Sequence, residues 1–102
     1  MKTDNLVPPQ LFHSIADLNK AMRANTIEVA RRNGFDIEQA EPEGYLCLGK
    51  HSSNEVINVF SNGAWEYSAE VDNLNELLMG GDAVMLNLCL KDKELYIKTQ
   101  SE

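Results

Sequence analysis

Apolar side chains recur at helical spacing in the first third of the chain. Four of them form one stripe within about 60° on a helical projection: Ile15, Leu18, Met22 and Val29. Ser14 begins this segment with the Ser-x-x-acid pattern of a helix N-cap, and Gly34 can end it in the left-handed conformation that closes many helices. The pattern therefore predicts a helix over residues 14–33.

Alternating or continuous apolar residues replace the helical pattern after residue 44. They predict strands over residues 45–50, 56–60 and 64–69. The last two are joined by Asn62-Gly63, a pair typical of a two-residue type I′ hairpin. Such a turn would place Phe60 opposite Trp65 and would bring Tyr67 to the same face of the sheet.

The last third of the chain predicts one more helix and one more hairpin. The helix precedes the glycine pair at 80–81 and is capped by Asp72 or Asn73. The hairpin is formed by strands over residues 83–90 and 95–99. The predicted order is α-β-β-β-α-β-β, an α+β fold in which one long and one short helix pack on one face of an antiparallel sheet of about five strands.

Length and composition indicate a single globular domain. The chain has 102 residues, of which 43% are hydrophobic and 25% charged. We expect a loose N-terminal arm over residues 1–13, which contain Pro8-Pro9, and one α+β domain over residues 14–102. No apolar stretch is long enough for a bilayer and no signal peptide opens the chain, so we expect a cytoplasmic protein in which Cys47 and Cys89 are free thiols.

Acidic residues outnumber basic ones by sixteen to nine and give a formal net charge of -7. Four of the acids lie in the polar segment 36–44, which we predict to be a loop: Asp36, Glu38, Glu41 and Glu43. Such a surface repels the phosphates of nucleic acids and attracts a basic protein. A simpler interpretation is that these carboxylates keep a small protein soluble.

Motifs for catalysis, nucleotides or metals are weak. Residues 44–51 come close to the Walker A spacing, but the interval is apolar and His51 stands where Ser or Thr would bind Mg²⁺. His13, Cys47, His51 and Cys89 do not have the paired spacing of zinc ligands. We therefore expect no enzyme, no cofactor and no metal site, and no nucleic-acid or membrane partner.

The predicted sheet holds more large apolar residues than two helices can cover. Phe60, Trp65 and Tyr67 are the candidates for a binding surface. The first hypothesis is a protein-binding module, such as a chaperone, inhibitor or immunity-type factor, that forms a homodimer through these aromatics and offers its acidic loop to a basic partner. The alternative is a small-molecule-binding domain whose apolar pocket lies between sheet and helix and includes Met85. In a third arrangement the N-terminal arm or a curled sheet covers the aromatic face.

The predicted element order, the small size and the acidic charge are similar to those of type III secretion chaperones. Those proteins are acidic homodimers that hold partner proteins in extended form, so the resemblance implies a homodimer and an extended partner. The final helix of that family has no counterpart after Thr99 in the predicted order.

Overall fold

The computed structural model describes residues 14–40, 45–51 and 53–101. Along the chain, one helix precedes a five-strand sheet and two helices follow it. The elements in chain order are α1 Ile15–Arg32, β1 Asp36–Ala40, β2 Leu46–Gly49, β3 Val56–Val59, β4 Trp65–Val71, β5 Leu74–Gly80, α2 Ala83–Lys91 and α3 Lys93–Gln100. The predicted α+β class and the antiparallel five-strand sheet are confirmed. The described part of the chain has three helices instead of the predicted two. The predicted arm over residues 1–13 lies outside the described residues.

The first helix has the ends that its sequence predicts. Ser14 caps it, since its side-chain oxygen accepts a hydrogen bond of 3.1 Å from the backbone N–H of Asp17. Gly34 follows the helix with a φ of +92°. The N–H of Phe35 then donates to the carbonyl of Ala30 at 3.1 Å, and the Phe35 side chain is buried.

The sheet is a simple meander in which each strand pairs with its neighbour in the sequence, in the order β1-β2-β3-β4-β5. All four pairings are antiparallel. Helices and sheet share one core, to which the sheet contributes Leu46, Leu48, Ile57, Val59, Trp65, Tyr67 and Ala69, and the helices Val29, Ala30, Ala83, Leu86, Cys89 and Tyr96. We call the sheet face that carries these core residues the inner face.

The hairpin between β3 and β4 differs from the predicted two-residue turn. The N–H of Phe60 donates to the carbonyl of Ala64 at 2.8 Å, and that of Gly63 donates to the carbonyl of Phe60 at 3.1 Å. The loop therefore holds three residues, and Gly63 has a positive φ of +90° while Asn62 does not. The register moves by one residue, so that Trp65 pairs with Val59 and not with Phe60.

The type I′ geometry occurs instead at the next turn. Asp72 and Asn73 have φ values of 53° and 66° and connect β4 directly to β5. The prediction that they cap a helix is wrong, because two consecutive residues with positive φ reverse the chain rather than start a helix. The leucine-rich segment behind them is therefore a strand.

The predicted last hairpin is also wrong, because two aspartates cap helices there. The side chain of Asp82 accepts from the N–H of Met85 at 2.8 Å and begins α2, while that of Asp92 accepts from the N–H of Leu95 at 3.2 Å and begins α3. The observed order thus has five consecutive strands followed by two helices. It differs from the order that suggested the similarity to type III secretion chaperones.

Candidate binding surface

The aromatic residues predicted to bind a partner are divided between the two faces of the sheet. Trp65 and Tyr67 lie on the inner face and are only 1% and 4% exposed. The indole N–H of Trp65 donates to the carbonyl of Asp82 at 2.8 Å, and its ring lies 5.6 Å from the ring of Tyr96. The expectation that this aromatic face is open is therefore wrong, because the helices of the same chain cover it.

The opposite side of the sheet, which we call the outer face, carries the side chains that alternate with the core residues. They are Cys47, Val56, Asn58, Phe60, Glu66, Ser68, Glu70, Asn75, Leu77 and Met79. None of them is fully buried. Because the core joins all three helices to the inner face, the described part of the chain leaves the outer face open.

Apolar side chains occupy two separate corners of the outer face. Leu77 and Met79 on β5 are 57% and 60% exposed. At the other corner the rings of Tyr45 and Phe60 pack edge to face, with 6.4 Å between their centroids. Phe60 is thus the one predicted aromatic that lies on the open side, and it cannot line a pocket together with Trp65.

Carboxylates lie between and beside these corners. Glu66 lies near the start of β4, where it accepts a hydrogen bond of 3.4 Å from the Asn58 amide, and Glu70 lies near the end of the same strand. The Glu38 carboxylate lies directly over Gly49, where any side chain would collide with it. The outer face is therefore both apolar and acidic.

The acidic segment of the sequence is a strand where the structure describes it, not the predicted loop. Asp36 and Glu38 belong to β1, whose residues are all exposed. Glu41 and Glu43 lie outside the described residues. The strand pairs with β2, and its register is irregular between Ile37 and Gln39. Such an irregularity breaks the alternation of side chains between the two faces, and this strand can accommodate it because none of its side chains is buried.

Sequence reasoning missed Leu77, Met79, Glu66 and Glu70. The first two were assigned to a helix, and the strand alternation of β5 became visible only once its turn was known. Glu66 stands between Trp65 and Tyr67, and this alternation was the signal that placed it on the face opposite the aromatics.

The two thiols are held in their protonated form. Burial raises the pKa of Cys89 to about 11, and burial together with the charge of Glu38 raises the pKa of Cys47. Both cysteines are free; Cys89 is buried and Cys47 is partly exposed. The Walker-like segment contains strand β2 and ends at the exposed His51. Within the described ranges no three His, Cys, Asp or Glu side chains are grouped to hold a metal ion.

One ionisable pair links the sheet core to the loop before β3. The hydroxyl of Tyr67 donates a hydrogen bond of 2.7 Å to the carboxylate of Glu55. Burial by itself would raise the pKa of Glu55, but hydrogen bonds from Tyr67 and Ser53 and the charges of Lys50 and Lys93 together hold that pKa below its usual value. Burial and the Glu55 carboxylate raise the pKa of Tyr67. The pair is thus a carboxylate and a neutral phenol near neutral pH.

We expect Tyr67→Phe to lower the free energy of unfolding by about 1 to 2 kcal/mol at pH 7, because a hydrogen bond to a partly exposed carboxylate is lost. The lowered pKa of Glu55 means that its contribution is present above the ordinary value of 4.5 and is lost as the pH falls below it. The raised pKa of Tyr67 means that its contribution is present below 10.0 and is lost at higher pH. Urea unfolding of both proteins at about pH 3, 7 and 11 should show the largest difference at pH 7, and an equal difference at all three would contradict this account.

A cavity of about 360 Å³ opens at the end of the sheet near this pair. Its lining includes Glu38, Lys50, Glu55 and Glu70, with serine and asparagine side chains between them. The Lys50 ammonium lies 4.0 Å from the Glu55 carboxylate, so the lining contains an ion pair. Charged and polar side chains line the cavity together with Val56 and Ala69, whereas the pocket that the sequence suggested was apolar.

None of the helices in the described ranges is long and apolar enough to cross a membrane. Compared with known proteins, the chain matches no protein family, no curated protein and no solved structure.

Proposed function

We propose that the chain is a small, non-enzymatic protein-binding module, of the chaperone, inhibitor or immunity type, that acts through its outer face. One observation carries this proposal: within the described residues no helix covers the outer face of the sheet, and this face combines large apolar side chains with carboxylates. The aromatic contribution comes from the Tyr45–Phe60 pair, in place of Trp65 and Tyr67.

The apolar corners supply binding energy. Burying a Leu or Met side chain is worth about 1.5 to 3 kcal/mol, and Leu77 and Met79 are both more than half exposed. Tyr45, which is 38% exposed, adds an aromatic side chain of the kind enriched in protein interfaces. A partner that covers both corners must cross the middle of the face.

The carboxylates determine which partner fits. Glu66 lies on β4 between the corners, Glu70 lies near the far end of the same strand, and Glu38 lies near β2. A partner crossing the face therefore meets negative charge, which favours basic side chains interspersed with apolar ones and rejects an acidic segment. We infer that the partner is a basic protein segment that lies across the strands.

Two further features support a binding role in a reducing compartment. The raised thiol pKa values of Cys47 and Cys89 leave little reactive thiolate for nucleophilic catalysis. Both cysteines are free, as is usual for proteins of the cytoplasm, where we place this protein.

The proposal predicts selective binding of a basic peptide. We expect a 12-residue peptide of alternating Lys and Val or Phe to perturb the amide resonances of Glu66, Leu77 and Met79 in a ¹⁵N NMR titration at low salt. The double variant Glu66→Gln/Glu70→Gln should bind it about five- to tenfold more weakly, because two charges are removed from the contact. Gln keeps the acceptor for Asn58, so the sheet itself should not change.

Glu94→Gln is the matched control, since this exposed carboxylate lies on α3, away from the outer face. It should bind the peptide as the wild type does. Equal affinity for the corresponding Glu-containing peptide, or shifts confined to the helices, would count against the proposed surface.

A small polar ligand is the second candidate, and the cavity beside Glu55 favours it. The volume of about 360 Å³ lies within the range of ligand pockets, and a lining with both Lys50 and carboxylates suits a zwitterion. Screening amino acids and similar zwitterions by ligand-observed NMR would detect such binding. Lys50→Met should abolish it and leave peptide binding unchanged.

A further inference from the structure

The two edges of the sheet differ in how well they are protected against pairing with another strand. The β1 edge has five residues, two carboxylates and an irregular register, which are features that discourage pairing. The β5 edge has seven residues in continuous register with β4, and it contains neither Pro nor Lys. Its one charged residue, Glu76, is tied to Lys93 by an ion pair of 2.7 Å.

Exposed apolar residues are concentrated in the last third of the chain, on β5 and on the two helices that follow it. Within the described ranges, six of the nine large apolar side chains that are exposed lie between residues 74 and 97: Leu74, Leu77, Met79, Val84, Leu95 and Ile97. Helix α3 is fastened to β5 through Lys93 and through the Tyr96 hydroxyl, which donates to the carbonyl of Met79. The edge strand and the helix beside it thus form one apolar flank.

We propose that the β5 edge pairs with the β5 edge of a second copy of this chain, in antiparallel register centred on Leu77. Two five-strand sheets then form one continuous ten-strand sheet. The symmetry axis is perpendicular to the sheet, so the outer faces of both copies lie on the same side. The proposal goes beyond the proposed function, since the dimer forms with or without a basic partner.

The register follows from length and charge. Centring on Leu77 places each of the seven residues opposite a residue of the second copy, with Leu77 opposite Leu77 and Glu76 opposite Leu78, while the Met79 carbonyl keeps its hydrogen bond from Tyr96. Centring on Glu76 would bring two carboxylates together, which is unfavourable. Centring on Leu78 would leave the first two residues of the strand without partners in the other strand.

Charge favours a second copy over a foreign basic segment at this edge. Residues 74–101 contain four acidic and three basic residues, whereas residues 35–73 contain eight acidic and one basic. This part of the chain is thus almost neutral and repels a copy of itself little. The homodimer predicted from the sequence is retained in this form, with a contact that excludes Trp65 and Tyr67.

The contact area of a stable dimer requires helix α3 as well as strand β5. A seven-residue strand is about 24 Å long, and a sheet edge about 10 Å deep, so the two strands bury roughly 500 Å² between them. A stable interface needs about 1,000 Å² or more. Helix α3 carries Leu95 and Ile97, 45% and 39% exposed, on either side of the buried Tyr96, and in the proposed dimer it supplies the remaining contact area.

Sedimentation equilibrium from about 5 to 500 μM tests the association. The wild type should reach twice the 11.4 kDa mass of one chain. Leu77→Lys places two like charges opposite each other and should raise the dissociation constant at least tenfold. Ile37→Lys is the matched control on the β1 edge, where the side chain is 51% exposed, and should dimerise normally. A monomeric wild type, or a dimer weakened by Ile37→Lys and not by Leu77→Lys, would overturn the proposal.

Cross-linking tests the register without relying on a disruptive variant. In a Cys47→Ser background, Leu77→Cys should form a disulfide-linked dimer on mild oxidation, because residues directly opposite have Cβ atoms about 5 Å apart. Met79→Cys should cross-link at least tenfold more slowly, since its two copies would lie about 14 Å apart along the strands. Cross-linking that is equal at both positions, or faster at 79, would rule out this register.

Discussion

Replacing Gly63 by Val should lower the free energy of unfolding by about 3 to 4 kcal/mol. Gly63 has a φ of +90°, a region that β-branched residues resist. A Cβ atom there would also lie 2.7 Å from the backbone carbonyl carbon of Met22 on α1. The neighbouring atoms are backbone, so they cannot move away cheaply, and strain and overpacking add to each other.

The hairpin is fixed to α1 at this same point. The hydroxyl of Thr26 donates a buried hydrogen bond of 2.6 Å to the carbonyl of Gly63. Urea unfolding should show the loss, and Gly81→Val is the control because a Cβ at Gly81 has no neighbour within 4 Å. Equal destabilisation by the two substitutions would mean that Gly63 is not packed against the helix.

The same contact explains why the register could not be predicted. Asn-Gly favours a type I′ turn on local grounds, and the prediction assumed that local preference decides. In the structure the Asn62 side chain instead accepts from the N–H of Ala64 at 3.0 Å, and Gly63 lies against a helix 37 residues away from it in sequence at Thr26. A long-range contact thus selected the three-residue loop. As a result, the residue of the first strand that lies opposite Trp65 is Val59 and not the predicted Phe60.

The first helix was predictable because its signals are local and agree. The cap at Ser14, the apolar stripe that includes Val29 and the Gly34 terminus all specify the same element, although only Val29 of that stripe is fully buried and Ile15 is 77% exposed. The strands at Trp65 and Ile57 were found for a similar reason, since their apolar residues alternate or run together over a short segment.

The last third of the chain was ambiguous because its apolar residues satisfy two periods. Leu74, Leu77 and Leu78 fit a helix, yet they form a strand in which Leu78 faces inward and Leu77 outward. In the next segment, Leu86 and Cys89 are three residues apart and both buried, as a helix requires. Without the caps and turns, periodicity does not decide between these structures.

The candidate site shows the consequence for function. We predicted more large apolar residues than two helices can cover, but the position of these residues depended on the register of the strands and on the type of each element. The shift by one residue separated Phe60 from Trp65, and the extra helix covered Trp65. The exposed excess moved to Leu77 and Met79, on a strand that had been predicted as a helix.

Replacing Trp65 by Ala should lower the free energy of unfolding by about 3 to 5 kcal/mol, the cost of emptying a large buried site. Trp65 is 1% exposed and packs against Tyr96. Its indole N–H also donates to the carbonyl of Asp82, the residue that caps α2, so Trp65 joins the sheet to the start of that helix. Trp65→Phe keeps most of the volume and loses this hydrogen bond, and should cost about 1 to 2 kcal/mol.

Fluorescence provides the independent measurement, since this chain has one tryptophan. The folded protein should emit at the short wavelength of a buried indole and shift to longer wavelength on unfolding. Phe60→Ala on the outer face is the control and should cost only about 1 kcal/mol, because a partly exposed ring loses less on truncation. An emission maximum typical of indole in water, or equal losses for Trp65→Ala and Phe60→Ala, would show that the helices do not cover the inner face, and the outer face would then no longer be the open one.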